Sequence, residues 1–507
     1  MTTTRPEKSG VGFRSDRGPV LAAVMLSTGL VALDSTIIAT AVPSIVRDLG
    51  GFSQFPWLFS IYLLTQAVTV PLYGKVADSI GRKPVLLFGI ALFLVGSVLC
   101  GVAWSMPALI LARAVQGIGA GAVQPMSVTI VGDLYSVRER ARVQGYLASV
   151  WGVSALVGPA LGGVFSEYLS WRWIFFANLP LGAVAVWALV RRFRERVERR
   201  THRVDVAGAA ALTGGFSLLI LGLLEGGQAW PWASVSSLLI FAVALALLAV
   251  FVIVERRAPE PVLPLWVVGR RILAGGNLTA LFAGALLIGL SSYVPTYAQG
   301  VLGVGPVVAG FALAALTIGW PLAASQSGRL YLRIGFRDTA VFGSLFIITG
   351  AVLAALLTDR SPVWAVAGAA FVMGIGLGLA ASPTMVAVQS VVGWDRRGVV
   401  TGANMFSRAL GSAVGAALFG AIANATLAHR FAHPPAALAG QVPTNADAGS
   451  LILDASTDPD RSAAAEYVRG SLFDATHHVF VGLVVLAVLM AGAILLMPRR
   501  SARLEFD

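Results

Sequence analysis

The chain has 507 residues, 57% of them apolar or aromatic and only 12% charged, with a formal net charge of +12. An ordinary soluble domain carries roughly 25% charged residues, so most of this chain cannot build a water-facing surface. That excludes a cytosolic enzyme, a disordered tail and a nucleic-acid module, and it leaves lipid as the solvent.

A membrane-crossing helix needs about 20 mostly apolar residues. After a polar tail over 1–18, fourteen such stretches follow in chain order. They lie near 20–43, 56–77, 84–104, 107–132, 143–166, 171–190, 205–225, 233–254, 272–298, 306–327, 338–358, 362–391, 398–428 and 473–497. The first is too long for a signal peptide and runs through Asp34 without an Ala-x-Ala cleavage site. Basic residues gather after the even-numbered stretches: Lys75, Arg82 and Lys83; Arg138, Arg140 and Arg142; the run 191–203; Arg256, Arg257, Arg270 and Arg271; Arg329, Arg333 and Arg337; Arg396 and Arg397; Arg499, Arg500 and Arg503. The other loops hold few, among them Arg47, Arg172 and Arg360. The positive-inside rule therefore puts the even-numbered loops and both termini in the cytoplasm. The basic excess belongs to loops between apolar runs, not to a nucleic-acid-binding face.

Two segments repeat. Residues 74–83 read GKVADSIGRK and 328–337 read GRLYLRIGFR, so that at an offset of 254 Gly74 meets Gly328, Gly81 meets Gly335 and Lys83 meets Arg337. At an offset of 257, Gly145, Gly158 and Gly163 meet Gly402, Gly415 and Gly420. The copies of the first segment follow stretches 2 and 10, eight apart where two six-helix halves would give six. The expected fold is an all-α integral membrane protein of 14 transmembrane helices, two six-helix halves plus two inserted linker helices. In this division 1–18 and 499–507 are cytoplasmic tails, and 19–190 and 272–498 are the halves. The basic linker and inserted pair take 191–271, and 429–472 is an extracytoplasmic loop. The run 191–203 reads as a solvated joint.

Titratable residues inside the apolar stretches are few. Asp34 sits near the middle of the first, where an ionised carboxylate costs about 2.5–3.5 kcal/mol on insertion scales. Such a group can hold or release a proton as water access changes; the alternative is a cap on a kink near Pro43, or a bond to Ser35 or Thr36. The matching part of stretch 9, Ile288 to Ser292, has no acid, so symmetry does not demand one. Arg113 lies seven residues into stretch 4 and needs a polar partner; a helix–helix hydrogen bond is the plain reading. Gln116 and Gln124 fall on similar faces. Glu225, followed by Gly-Gly-Gln-Ala-Trp-Pro-Trp, reads as the outer end of stretch 7. The single Cys100 gives no disulfide or metal cluster, the five histidines (202, 429, 433, 477 and 478) show no zinc spacing, and no phosphate-binding P-loop sequence occurs. No metal or cofactor is expected.

Several motifs together resemble the major facilitator superfamily, and within it the 14-helix drug:proton antiporters. Gly74-Lys-Val-Ala-Asp78-Ser-Ile-Gly81-Arg82-Lys83 is similar to the loop 2–3 signature, with Val76 where Leu is usual. Arg113-Ala-Val-Gln116-Gly117-Ile-Gly119-Ala-Gly121 resembles the helix-4 motif, and Gly158-Pro159-Ala-Leu-Gly162-Gly163 the helix-5 antiporter motif. Leu33-Asp34-Ser35-Thr36-Ile37 with Ala41-Val42-Pro43, and Trp171-Arg-Trp-Ile-Phe-Phe-Ala-Asn178-Leu-Pro180, resemble signatures of the 14-helix branch.

The resemblance implies a proton-coupled multidrug efflux antiporter working by alternating access, driven by the proton gradient and needing no cofactor. It implies roles in proton coupling for Asp34 and Arg113. It implies a cytoplasmic gate of Gly74, Asp78, Gly81, Arg82 and Asp133, with Arg82 pairing with Asp133. Pro159 kinks helix 5 where the second copy has Ala416, which assigns Gly158, Pro159, Gly162 and Gly163 to a moving helix. Tyr62, Gln66, Gln124, Trp151, Tyr293, Gln389, Asn404 and Arg408 are the polar and aromatic candidates for a substrate cavity. The expected partners are hydrophobic or cationic small molecules, protons and the lipid bilayer, with the chain a monomer in a bacterial plasma membrane. Export of lipids or a specialised metabolite is the alternative. A polytopic membrane transferase, with His477-His478 as its only candidate constellation, is a distant one.

Overall fold

The computed structural model describes residues 17–135, 137–193, 205–226, 229–258, 263–392, 397–438 and 463–499, with isolated residues 12, 15, 195, 261 and 442. Some side chains inside these ranges lie outside the described residues, among them those of Gly74, Asp78, Asp133 and Gly145.

The long helices are α1 Gly18–Leu49, α2 Phe55–Ile80, α3 Arg82–Gly101, α4 Met106–Leu134, α5 Val137–Tyr168, α6 Trp173–Arg192, α7 Val206–Glu225 and α8 Val235–Arg257. The second half adds α9 Arg271–Gly300, α10 Pro306–Ile334, α11 Phe336–Ala355, α12 Val363–Ser390, α13 Arg397–Ala432 and α14 Ala463–Leu496. Thirteen helices among the described residues are long and apolar enough to cross a membrane. The 26-residue α2 stands where the second expected stretch lies. Lipid offers no partner for a backbone N–H or C=O, so helices that satisfy their own groups are the form these apolar runs must take.

Boundaries are set locally. Ser105 caps α4 by accepting from Ala108 N, Asp205 caps α7 through Gly208 N at 2.8 Å, and Ser234 caps α8 through Ser237 N. The tight joints α2–α3 and α10–α11 turn on Gly81 (φ 103°) and Gly335 (φ 91°), the pair matched by the repeat. Both sit at positive φ, which a side chain resists. The loop expected over 429–472 is shorter at both ends: α13 runs to Ala432 and α14 begins at Ala463. The extensions hold one another, since Arg430 pairs with Asp474 and Tyr467 Oη donates to Arg430 O at 2.7 Å.

In the first half α1 packs on α4, α5 and α6, while α4 packs on α2 and α3. In the second, α9 packs on α12, α13 and α14, while α12 packs on α10 and α11. The halves meet along α5–α10, α2–α13 and α1–α9. The repeat is visible in this packing. A Cβ at Gly158 would strike Thr36 of α1, and one at Gly415 would strike Ala285 of α9. A Cβ at Gly163 would strike Val307 near the start of α10, and one at Gly420 would strike Pro56 near the start of α2. The pair α7–α8 is attached from outside: α7 lies against α2 and α13, and α8 packs mainly on α7. Trp57 Nε1 donates to Glu225 at 3.0 Å, pinning the end of α7 to α2.

Cross-half hydrogen bonds lie toward the end of the bundle with few basic residues. Gln299 Nε2 donates to Thr40 O (3.2 Å), Ser60 Oγ to Ala413 O (3.2 Å) and Asn424 Nδ2 to Ser53 O (2.8 Å). An aromatic chain from Phe55 through Tyr293 to Phe419 crosses the same seam, with centroids 5.7 and 6.5 Å apart.

Candidate functional site: a buried carboxylate network

Asp34 is fully buried, and side chains from two other helices reach its carboxylate. Arg113 Nη1 of α4 donates to Oδ2 at 2.7 Å. Gln116 Nε2, one turn along α4, donates to Oδ1 at 2.8 Å, and Asn178 Nδ2 of α6 donates to the same oxygen at 2.9 Å. Ser97 Oγ of α3 accepts from both amides, at 2.8 and 3.1 Å, and so locks their orientation. Arg113 Nη1 also donates to Gln116 Oε1 (2.6 Å), and its Nε donates to Leu58 O (3.2 Å). The Tyr62 ring lies 4.0 Å below the guanidinium, a cation–π contact. Five helices of the first half, α1, α2, α3, α4 and α6, thus meet at one ion pair.

Neither plain alternative for Asp34 is what its partners show. Ser35 Oγ donates to Val31 O, and Thr36 Oγ1 donates to Ala32 O, Leu33 O and, across to α5, Ser154 O at 2.9 Å. The Asp34 carboxylate accepts from side chains that a proton or a rearrangement can release.

The opposite face of α1 is held by the helix-5 glycines. A Cβ at Gly158 would lie 2.1 Å from Thr36 Oγ1, and one at Gly162 would lie 2.3 Å from both Ile37 O and Thr40 Oγ1. Thr40 Oγ1 reaches Pro159 O at 3.3 Å. On its other side Pro159 O meets Gly310 of α10, where a Cβ would come within 2.6 Å. Continuous contact therefore runs from the Asp34 network through α1 and α5 into the second half.

At the C-terminal end of α1, Asp48 accepts from Trp171 Nε1 (3.0 Å) and Arg172 Nη1 (2.6 Å), and Arg172 Nη2 donates to Ala103 O (3.2 Å). The Arg172 hydrogen bond holds the Asp48 carboxyl below the usual carboxylate range, against an opposing effect of burial. This clamp is intact at neutral pH and is lost only as pH falls through that lowered value.

Of the expected gate, the side chains of Gly74, Asp78 and Asp133 lie outside the described residues, and so does the proposed Arg82–Asp133 pair. A different anchor is visible there. Glu195 accepts from Arg82 N and Lys83 N, each at 2.8 Å, and so caps the exposed start of α3. Lys83 Nζ donates to Phe193 O (2.5 Å) and Val190 O (3.2 Å). The run 191–203 is thus more than the solvated joint expected, because its described residues Phe193 and Glu195 tie α6 to the α2–α3 turn. Glu195→Ala should cost about 1 kcal/mol, the worth of a partly buried anion at a helix N-terminus. A thermal-unfolding midpoint in detergent checks it, and an unchanged midpoint would deny the cap any energetic weight.

The cavity candidates scatter. Tyr62 joins the network, whereas Tyr293 belongs to the aromatic seam. Gln389 Nε2 donates to Thr401 Oγ1 (2.9 Å), and Asn404 Nδ2 to Gly276 O (3.0 Å), both spent on helix–helix contacts. Gln66 is buried on α2, while Gln124 and Trp151 are half-buried. Arg408 is half-buried on α13. His478 Nδ1 lies 3.1 Å from Thr426 Oγ1 beside a cavity of about 470 Å³ between the C-terminal part of α13 and the N-terminal part of α14, lined by other residues than Asp34. The sequence places Asn178 within a motif but gives it no role of its own. Its signal was an amide inside an otherwise apolar run. Ser97 left no signal, since a lone serine in a membrane helix is ordinary.

The sequence matches the Major Facilitator Superfamily over residues 24–416. The chain belongs to that superfamily. It is 33% identical over 511 aligned residues to the multidrug transporter protein MdtP of Bacillus subtilis (strain 168), with 96% of this chain and 94% of the relative covered. It is 32% identical to multidrug resistance protein 3 of the same organism, covering 83% and 81%. Its fold is similar to a bacterial homologue of the lysosomal transporter Spinster solved in an inward-facing, unoccupied conformation, with TM-score 0.68, 18% identity, and 96% and 98% of the two chains covered. This chain is a multi-pass membrane transporter of the superfamily and not an enzyme.

Proposed function

We propose that this transporter is a proton-coupled drug exporter of the bacterial plasma membrane, acting as a monomer with both termini in the cytoplasm. The observation that carries the reading is the Asp34–Arg113 pair at 2.7 Å, sealed from solvent inside the first half. Protonating Asp34 removes the negative partner of a buried guanidinium, and a buried charge left alone is strongly destabilising. Taking up or losing one proton therefore changes how firmly α1 is held to α4. Through the glycine contacts of α5, that change reaches α10 and the seam between the halves. One proton supplies about 2.3 kcal/mol per 100 mV and about 1.4 per pH unit, and no cofactor is needed. With the basic loops inside, the packed seam is the extracytoplasmic one, so this conformation is closed outward.

Hydrophobic drugs are the core cargo in this reading. A cationic drug needs an acid to meet it in the membrane, and Asp34 is engaged by Arg113. The names of the relatives, both multidrug transporters, support the drug class. In everted vesicles carrying this chain, a neutral hydrophobic dye should accumulate on energisation and leak out when nigericin and valinomycin with K⁺ collapse the gradient. Accumulation that survives complete collapse would rule out proton coupling.

A further inference from the structure

Asp34 and Arg113 neutralise one another, but Arg408 has no such counterpart among the described residues. It stands eleven residues into α13, well inside the span Val399–Ala432. Among the described residues its side chain makes no hydrogen bond and no ion pair. Its neighbours on the same helical face show the contrast. One turn before it, Asn404 donates to Gly276 O of α9, and one turn after it, Ser412 Oγ donates to Gly284 O at 3.0 Å. These two polar side chains, at i−4 and i+4, are spent on the α9 backbone; the guanidinium between them is not. The helices are pressed together here, since a Cβ at Gly284 would come within 2.0 Å of Arg408 O. Arg408 itself is half-buried, so part of its side chain stays accessible. Two residues to either side, on the opposite face of α13, Phe406 and Leu410 cluster with Ala67 of α2 and with Ala211, Leu212 and Phe251 of α7 and α8, so this stretch of the helix is held at the seam by its other face.

Arginine cannot shed its proton in a protein, so an unfavourable environment does not neutralise it. Its planar fork of donors matches carboxylate and phosphate oxygens. We propose that Arg408 binds an acidic group on the transported molecule, so that the cargo includes amphipathic acids with an apolar body and a carboxylate or phosphate head. This deepens the exporter reading above and rests on it, but its test is made at equilibrium without a gradient and is independent of proton coupling.

The full-length chain in detergent is titrated with dansyl-undecanoic acid and with its methyl ester, following dansyl fluorescence. The acid should bind on the order of tenfold more tightly than the ester, as expected for desolvated charge pairing. In Arg408→Gln that ratio should fall to about one, and Arg408→Lys, a point charge without the fork, should restore part of it. Measurable ester binding reports that each variant is folded. Equal binding of acid and ester by the parent chain, or an acid preference that survives in Arg408→Gln, would overturn the proposal. Competition then separates the sources. Displacement by lysophosphatidic acid assigns the site to a lipid headgroup, and displacement by decanoate assigns it to a compact acid; displacement by neither overturns it.

Discussion

Asp34→Asn should abolish uphill export while the chain still inserts and folds. Asparagine keeps the shape of the side chain and one acceptor oxygen for Gln116 and Asn178, which lie 2.8 and 2.9 Å from Asp34 Oδ1. It loses the charge that faces Arg113 at 2.7 Å. Breaking a buried ion pair from one side costs about 3–5 kcal/mol, and the retained amide contacts bring the expected loss toward the lower figure. A lowered thermal midpoint therefore accompanies the functional effect. In everted vesicles the steady-state dye ratio should fall to about one, and an imposed pH step should no longer move dye. Detergent extraction and a cooperative melt establish that the variant is folded. Full uphill transport by Asp34→Asn would take the carboxylate out of the energy coupling, leaving it a structural strut. The companion variant Asn178→Ala removes one donor but no charge. It should slow export by about tenfold or more without ending it, because the net worth of a hydrogen bond to a charged group is about 1.5–3 kcal/mol.

Gly162→Ala should be nearly as damaging, for a steric reason. The added Cβ would lie 2.3 Å from the Ile37 carbonyl oxygen, which is helical backbone and cannot turn aside. Helix α5 must then move off α1, at a cost of about 1–3 kcal/mol for overpacking. The displacement also disturbs the Pro159–Gly310 contact with the second half. Export should drop at least tenfold, and the melt should shift downward. Gly152→Ala on the same helix is the control: the nearest atom to its Cβ is Pro321 Cγ at 3.7 Å, an ordinary contact, so neither stability nor export should change. If Gly162→Ala and Gly152→Ala behaved alike, close packing of α5 on α1 would not matter to transport.

Much of the architecture was legible along the chain because each apolar run answers to lipid on its own. The spans, the 6 + 2 + 6 arrangement and the paired turns at Gly81 and Gly335 came from length, loop arginines and a glycine offset. Helix ends were harder. The start of α14 lies ten residues before the expected 473, because ends that leave the apolar layer are held by contacts such as Arg430–Asp474 and carry no hydropathy signal. Glu195 was hidden for a related reason: inside a run of arginines its single carboxylate reads as solvated, and only the approach of α6 to the α2–α3 turn makes it a cap.

The site divides in the same way. Asp34 and Arg113 stand out one at a time, because an ionisable residue in the middle of an apolar helix is costly enough to need a reason. What they do to one another is not written along the chain. Asp34 is 79 residues from Arg113, 82 from Gln116 and 144 from Asn178, and no periodicity links positions on three separate helices. Local sequence sets what each helix exposes, since side-chain chemistry and helical period act over a few residues. Which exposed groups face each other follows from glycine-permitted approach and the rotation of packed helices. Tertiary packing alone therefore decided that the Asp34 carboxylate would be neutralised, and that Arg408 would stand without a partner among the described residues.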